Sequence, residues 1–152
     1  MTRPDKQFEN VARAIFFKLR QQFGFDQVEG SHHYSARDSG VKRQIDITAY
    51  QNDGGMVLIE CKLHKERIDI GYVDAFHTVI HTDVGAEGGI LVSSGGFTDG
   101  AVKSANAKRI GLATLNGDAT EDDFTLQIAE FILRGVSRDI GCRLILVDGT
   151  QQ

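Results

Sequence analysis

The stretch RQIDITAYQNDGGMVLIECKLHKER, residues 43–67, decides how this chain folds. On either side of Asn52-Asp53-Gly54, β-branched and apolar residues alternate with polar ones, the pattern of two strands joined by a tight turn. In the first strand Ile45, Ile47 and Ala49 share one face, with Gln44, Asp46, Thr48 and Tyr50 on the other. In the second, Val57, Ile59 and Cys61 alternate with Met56, Leu58, Glu60 and Lys62. The two apolar sets fill one core only if they lie on the same side of the sheet. A two-residue Asp-Gly turn would set Ile47 opposite Glu60. A three-residue Asn-Asp-Gly loop with a bulge sets Ile47 opposite Ile59 and Asp46 opposite Glu60, and this is the register expected.

That register brings two carboxylates face to face with Cβ atoms roughly 5 Å apart, and puts Lys62 one pleat along the same face. Like charges directly opposite one another are unfavourable and call for a cation between them. Two hard oxygen ligands at this separation suit Mg²⁺, which takes one or two carboxylates and completes its shell with water and substrate phosphate. Gln44, diagonal to Glu60 and opposite Lys62, is a candidate partner of this group.

Asp46, thirteen intervening residues and then Glu60-Cys61-Lys62 on a hairpin resemble the active site of the PD-(D/E)XK nucleases. The continuation GGILVSSGGFTDGAVKSANAKRIGLATL, residues 88–115, is similar to the Mrr-type restriction endonuclease branch. There a strand, a serine/threonine-rich turn with Gly-Phe-Thr, a helix and another strand follow the lysine. The resemblance spans about residues 5 to 116. Ile45 stands where the proline of the family's name would be, an apolar strand residue for which no chemistry is required. The resemblance implies an α/β, restriction-endonuclease-like fold with a mixed β-sheet flanked by helices on both faces. It implies that Asp46, Glu60 and the main-chain carbonyl of Cys61 hold Mg²⁺ or Mn²⁺, that Lys62 serves the attacking water or the transition state, and that Glu9, on the first helix, points into the metal site. Family members often carry a separate winged-helix reader, for which this chain has no room, so a separate DNA-targeting partner protein is expected.

At 152 residues, 41% hydrophobic and 25% charged, the chain has the length of one domain and the balance of a water-soluble globular protein. It divides into a core of about residues 5–116 and a C-terminal helix-strand extension of about 117–152. The amino terminus lacks the apolar core of a signal peptide, and no run approaches the roughly 18 apolar residues a membrane span needs. A cytoplasmic protein with no membrane partner is expected, with Cys61 a small core residue in a reduced cell and neither Cys61 nor Cys142 at metal-site spacing. The net charge of −4 argues against coating nucleic acid by bulk electrostatics. Local cations matter more: Arg37, Lys42 and Arg43 precede the first carboxylate, Lys62, Lys65 and Arg67 follow the second, and Lys103, Lys108 and Arg109 come later. Arg43, Lys65 and Arg67 are the candidate DNA contacts, against the plain reading of a solvated face.

Elsewhere, Phe8, Val11, Ala12, Ile15, Phe16, Leu19 and Phe23 recur at helical spacing from Asp5 to about Phe23 and are stopped by Gly24. Residues 25–37 give a short strand with an irregular continuation. His32 and His33 are adjacent, and in a strand would point to opposite faces, which rules out joint chelation without a bend. Ile70, Val73, Phe76 and Ile80 mark a second helix closed around Asp83 to Gly85. Its His77 and His81 share one face but lack the HExxH pattern. Residues 89–92 read as a buried strand. Ser93-Ser94-Gly95-Gly96 turns into a helix capped by Thr98, a turn first and a phosphate contact second, and residues 110–115 give another strand. Phe124, Ile128, Phe131 and Ile132 mark a helix from Glu121 to Arg134, and Cys142 to Val147 a last strand.

The function these readings support is a Mg-dependent DNA endonuclease. Because one such site cuts one strand, double-strand cleavage calls for a homodimer. The alternative is a nuclease-fold module that binds DNA or a protein without cutting, for which the acidic net charge speaks. The opposed carboxylates speak against it.

Overall fold

Ile47 stands opposite Ile59, Thr48 opposite Leu58, Ala49 opposite Val57 and Tyr50 opposite Met56, the register expected of a three-residue loop. The structure, a computed structural model, describes residues 3–118 and the backbone of 132–134. The two strands are β4 (Ile47–Gln51) and β5 (Met56–Lys62). Their turn closes through the Gln51 N–H on the Gly55 carbonyl at 2.7 Å and the Gly54 N–H on the Gln51 carbonyl at 2.8 Å. Gly54 sits at φ 94°, which a side chain would strain.

Before this hairpin come α1 (Pro4–Lys18), the one-turn α2 (Arg20–Phe23), β1 (Phe25–Glu29), β2 (His32–Ser35) and β3 (Lys42–Ile45). The single helix expected to Phe23 is therefore broken at Leu19. After the hairpin come α3 (Ile70–Thr78), continued by a π-helical turn Val79–Val84, then β6 (Gly88–Ser93), α4 (Asp99–Lys108), β7 (Gly111–Thr114) and β8 (Ile132–Arg134). The main sheet runs β1-β4-β5-β6-β7-β8, with β5, β6 and β7 mutually parallel and the other pairs antiparallel. The strand–helix–strand pattern demanded this, because parallel neighbours need a crossover. Residues 132–134, expected at the end of a helix, pair with β7 instead. The rest of that helix, Cys142 and the strand 142–147 lie outside the described residues.

The sheet has two packed faces. Phe8, Ile15 and Phe16 of α1 cover Ile47, Ala49, Val57, Ile59, Ile90 and Val92, while Phe76 of α3, Ile80 of the π-helical turn, and Ala101 and Ala105 of α4 cover Leu58, Leu91 and Leu112. Gly89 lets α3 and its π-helical turn come close, since a Cβ there would meet Ile80 Cδ1 and the Phe76 ring. Among the described residues no helix is long and apolar enough to cross a membrane.

The structure corrects one part of the hairpin. Ile45 was expected on the face of Ile47 and Ala49, but it packs in the opposite core with Leu58 and Phe76. The cause is a bend at Asp46, where the chain leaves the main sheet and β3 pairs with β2 as a separate two-stranded sheet. A one-residue interruption exchanges the faces of every residue before it.

Candidate active site

The bend at Asp46 brings its backbone and side chain up to the end of β5. The Asp46 N–H donates to Glu60 Oε1 at 3.0 Å, and Asp46 Oδ2 accepts from the Cys61 N–H at 2.8 Å. In a strand the N–H and C=O of one residue point to the same edge and those of the next to the other. The Lys62 carbonyl accepts from Ser94 N–H on the β6 side at 3.1 Å, so strand geometry directs the Cys61 carbonyl toward Asp46. Across the sheet's end, Glu9 of α1 reaches the same place. There burial and the charge of Asp46 raise its carboxyl, and Lys6 Nζ lies 3.5 Å from Glu9 Oε1.

These residues line an open cleft of about 450 Å³, together with Asp5, Gln44, Lys62 and Tyr72. Removal from water is the largest influence on each of its three central carboxyls. It raises Glu60 to about 8, with the Asp46 charge adding to the effect. Glu9 is raised by burial and then by Asp46, and Asp46 is raised by burial against the opposing bond from Cys61. The Cys61 thiol is pushed up by burial and by the carboxylates around it. Three acids crowded together, each raised above its ordinary value, all hold their protons more tightly than they would in water.

The restriction endonuclease family model matches residues 4–119. The chain belongs to this family. Among solved structures, it resembles the protein of unknown function AF1548 at a TM-score of 0.58 and 21% identity, over 84% of this chain and 66% of that one. It also resembles VC1899 from Vibrio cholerae at a TM-score of 0.52 and 15% identity, over 89% of this chain and 33% of that one. Both likenesses show the fold, and the chain spans two thirds or less of either length. A repair endonuclease from Pyrococcus abyssi aligns at a TM-score of 0.39 and 22% identity, over 72% of this chain and 47% of that one, too loosely to build on. No curated protein matches.

The restriction endonuclease fold thus gathers Asp46, Glu60, Lys62, Glu9 and Gln44 around one cleft. Gln44 does so from β3, opposite His33, and its amide donates to Ser31 Oγ at 3.1 Å. The ladder pairing with Lys62 expected of it is absent because β3 has left the sheet. Arg43 is drawn away too, its Nε 2.8 Å from Oδ2 of the buried Asp83. Arg37 caps the π-helical turn, donating to the carbonyls of His81 and Thr82 at 2.7 and 3.2 Å. Lys65 and Arg67 are exposed beyond the end of β5.

The serine-glycine turn is no phosphate cradle, because Ser93 Oγ accepts from the N–H groups of both Gly95 and Gly96. The His77 and His81 rings lie 4.6 Å apart. Among the described residues, neither they nor any other group of three or more His, Cys, Asp or Glu side chains forms a ready-made metal cage.

Sequence reasoning missed Tyr72 and Asp5 at the cleft, and Lys6 paired with Glu9 beside it. Tyr72 belongs to the first turn of α3, where Asp69 caps the helix by accepting from the Tyr72 N–H at 3.1 Å. Lys62 Nζ lies 5.0 Å from the centre of the Tyr72 ring. Only the cap at Asp69, a turn before an apolar helix, signalled that this tyrosine would sit at a helix start.

Proposed function

We propose that this chain is a metal-dependent endonuclease that hydrolyses phosphodiester bonds in DNA. The observation that supports it is the meeting of Asp46, Glu60 and Glu9 in one open cleft, beside a lysine that neutralises none of them by direct contact. The donor set fits Mg²⁺ or Mn²⁺: hard carboxylate oxygens from Asp46 and Glu60 and the Cys61 carbonyl, with Glu9 alongside and room in the cleft for water and phosphate. When bound, the ion supplies Lewis-acid polarisation of the scissile phosphate and a more acidic water.

The chain's own part is to hold these groups in place. The crossed bonds between Asp46 and the Glu60-Cys61 segment fix the carboxylates against one another, and Lys62 presents an ammonium to phosphate oxygens as charge grows on them. Lys65 and Arg67 would follow the DNA backbone. Arg43, already paired with Asp83, contributes to DNA binding less than the sequence suggests. DNA is the partner, the cytoplasm the compartment, and a separate targeting protein the source of sequence recognition. The acting unit is a homodimer, since one site cuts one strand.

The test is nicking of supercoiled plasmid with Mg²⁺ and then Mn²⁺, for the native chain and for Lys62→Ala. Metal-dependent nicking that the substitution removes supports the reading. No cleavage with either metal, alongside retained DNA binding, would instead leave a binding module on a nuclease fold. Sedimentation equilibrium at micromolar concentration tests the dimer: a monomer that linearises plasmid in one step would refute the link between dimer and double-strand cleavage.

A further inference from the structure

Lys62 follows Glu60 by two residues and reaches the same cleft, within the electrostatic reach of both Glu60 and Asp46. An ammonium on a flexible stem beside two carboxyls would ordinarily settle on one of them. Yet among the described residues no ion pair within 4.0 Å joins Lys62 to either. Its nitrogen instead lies 5.0 Å from the centroid of the Tyr72 ring, within the roughly 6 Å at which an aromatic face attracts a cation. Tyr72 is well placed to compete. Its backbone is fixed by the Asp69 cap, its side chain is partly buried against the core beneath α3, and it lines the same cleft as the carboxylates.

We propose that Tyr72 is the positioning residue for Lys62: its ring holds the ammonium off Asp46 and Glu60, leaving both carboxylates for a metal ion and the ammonium for substrate phosphate. This rests on the metal-dependent reading above. A lysine collapsed onto Glu60 would act as a competing cation, weakening metal binding and leaving no donor for the phosphate. The ring surface is what matters, so phenylalanine should serve and an aliphatic residue of similar bulk should not.

Two measurements on the full chain separate this inference from the reading beneath it. The first needs no metal. By NMR, the Lys62 ε-methylene should show an upfield ring-current shift and cross-relaxation to the Tyr72 ring. Both should persist to the aromatic ring in Tyr72→Phe and be lost in Tyr72→Leu, where contacts to the Glu60 or Asp46 methylenes should appear. Native spectra without the ring contact, or a Lys62 unmoved in Tyr72→Leu, overturn the proposal whatever the metal does. The second is calorimetric titration with Mg²⁺ and Mn²⁺. Tyr72→Leu should bind roughly five- to tenfold more weakly than the native chain, Tyr72→Phe should match it, and the deficit should vanish when Lys62→Met is added. A deficit that persists without Lys62 would give Tyr72 some other role and overturn the proposal. A native chain that binds neither metal while the NMR contacts hold would sink the metal reading and leave the Tyr72–Lys62 contact standing.

Discussion

Asp46 and Glu60 are joined through the backbone of one and the side chain of the other: the Asp46 N–H donates to Glu60 Oε1 at 3.0 Å, while Asp46 Oδ2 takes the N–H of the next residue, Cys61, at 2.8 Å. The bonds cross, so neither carboxyl can turn away without leaving a backbone donor unpaired. Two acids are thereby held side by side in one cleft, and the folded chain supplies the energy that keeps them there.

Replacing Asp46 by Asn should abolish binding of Mg²⁺ or Mn²⁺ and leave the metal-free protein at least as stable. The amide oxygen can still accept from Cys61, and one negative charge leaves the cluster. Calorimetry and urea unfolding measure the two halves. Unchanged metal affinity would refute the role given to the opposed pair.

Stability should depend on pH in a direction set by Glu60. Its carboxyl holds its proton to about pH 8 in the folded state, against an ordinary value of 4.5. Between those values the native state binds more protons than the unfolded one, so stability is greatest below about 4.5 and falls as pH rises through 8. Glu9 and Asp46, also raised, act in the same sense. The loss should be on the order of a few kcal/mol for metal-free protein. Saturating Mg²⁺ should reduce it, and binding at pH 7 should release protons, seen as a dependence of the calorimetric heat on buffer ionisation. Stability that rises from pH 5 to pH 8 without metal would contradict the placement of these acids.

Lys62→Ala should lose cleavage by about 10²–10³-fold while keeping metal and DNA binding, because its charge is used chiefly as the transition state forms. Retained turnover with weakened DNA binding would reduce Lys62 to a plain phosphate contact.

Much of this site was legible because period-two alternation, one turn cluster and the need to fill a core leave a single register for residues 47–59. Alternation cannot reveal a bend, however. Ile45 continues the apolar pattern smoothly, and only the three-dimensional pairing of β3 with β2 shows that it serves the other face. Glu9 came into view through family resemblance, since its spacing from Arg13 on a helix also describes an ordinary surface pair. Tyr72 was not visible, because its contact with Lys62 joins the end of a strand to the first turn of a later helix and leaves no local trace.

Charge runs do not reveal which partner a cation takes, for a related reason. Arg43 stands three residues before Asp46 and reads as a DNA contact, yet its guanidinium meets Asp83, whose side chain is only 5% exposed. Arg43→Ala would strand that carboxylate and should cost about 2 kcal/mol of stability. Asp83→Asn in the same background should recover part of it, because the buried charge is gone. DNA binding should respond in the opposite order. Lys65→Ala, at an exposed position beyond β5, should weaken binding at low salt and lower the salt dependence by about one phosphate contact, while Arg43→Ala changes neither. Urea unfolding and fluorescence-anisotropy titrations across a salt series check the pair. Arg43→Ala with native stability and a reduced salt dependence would return Arg43 to the DNA-binding surface.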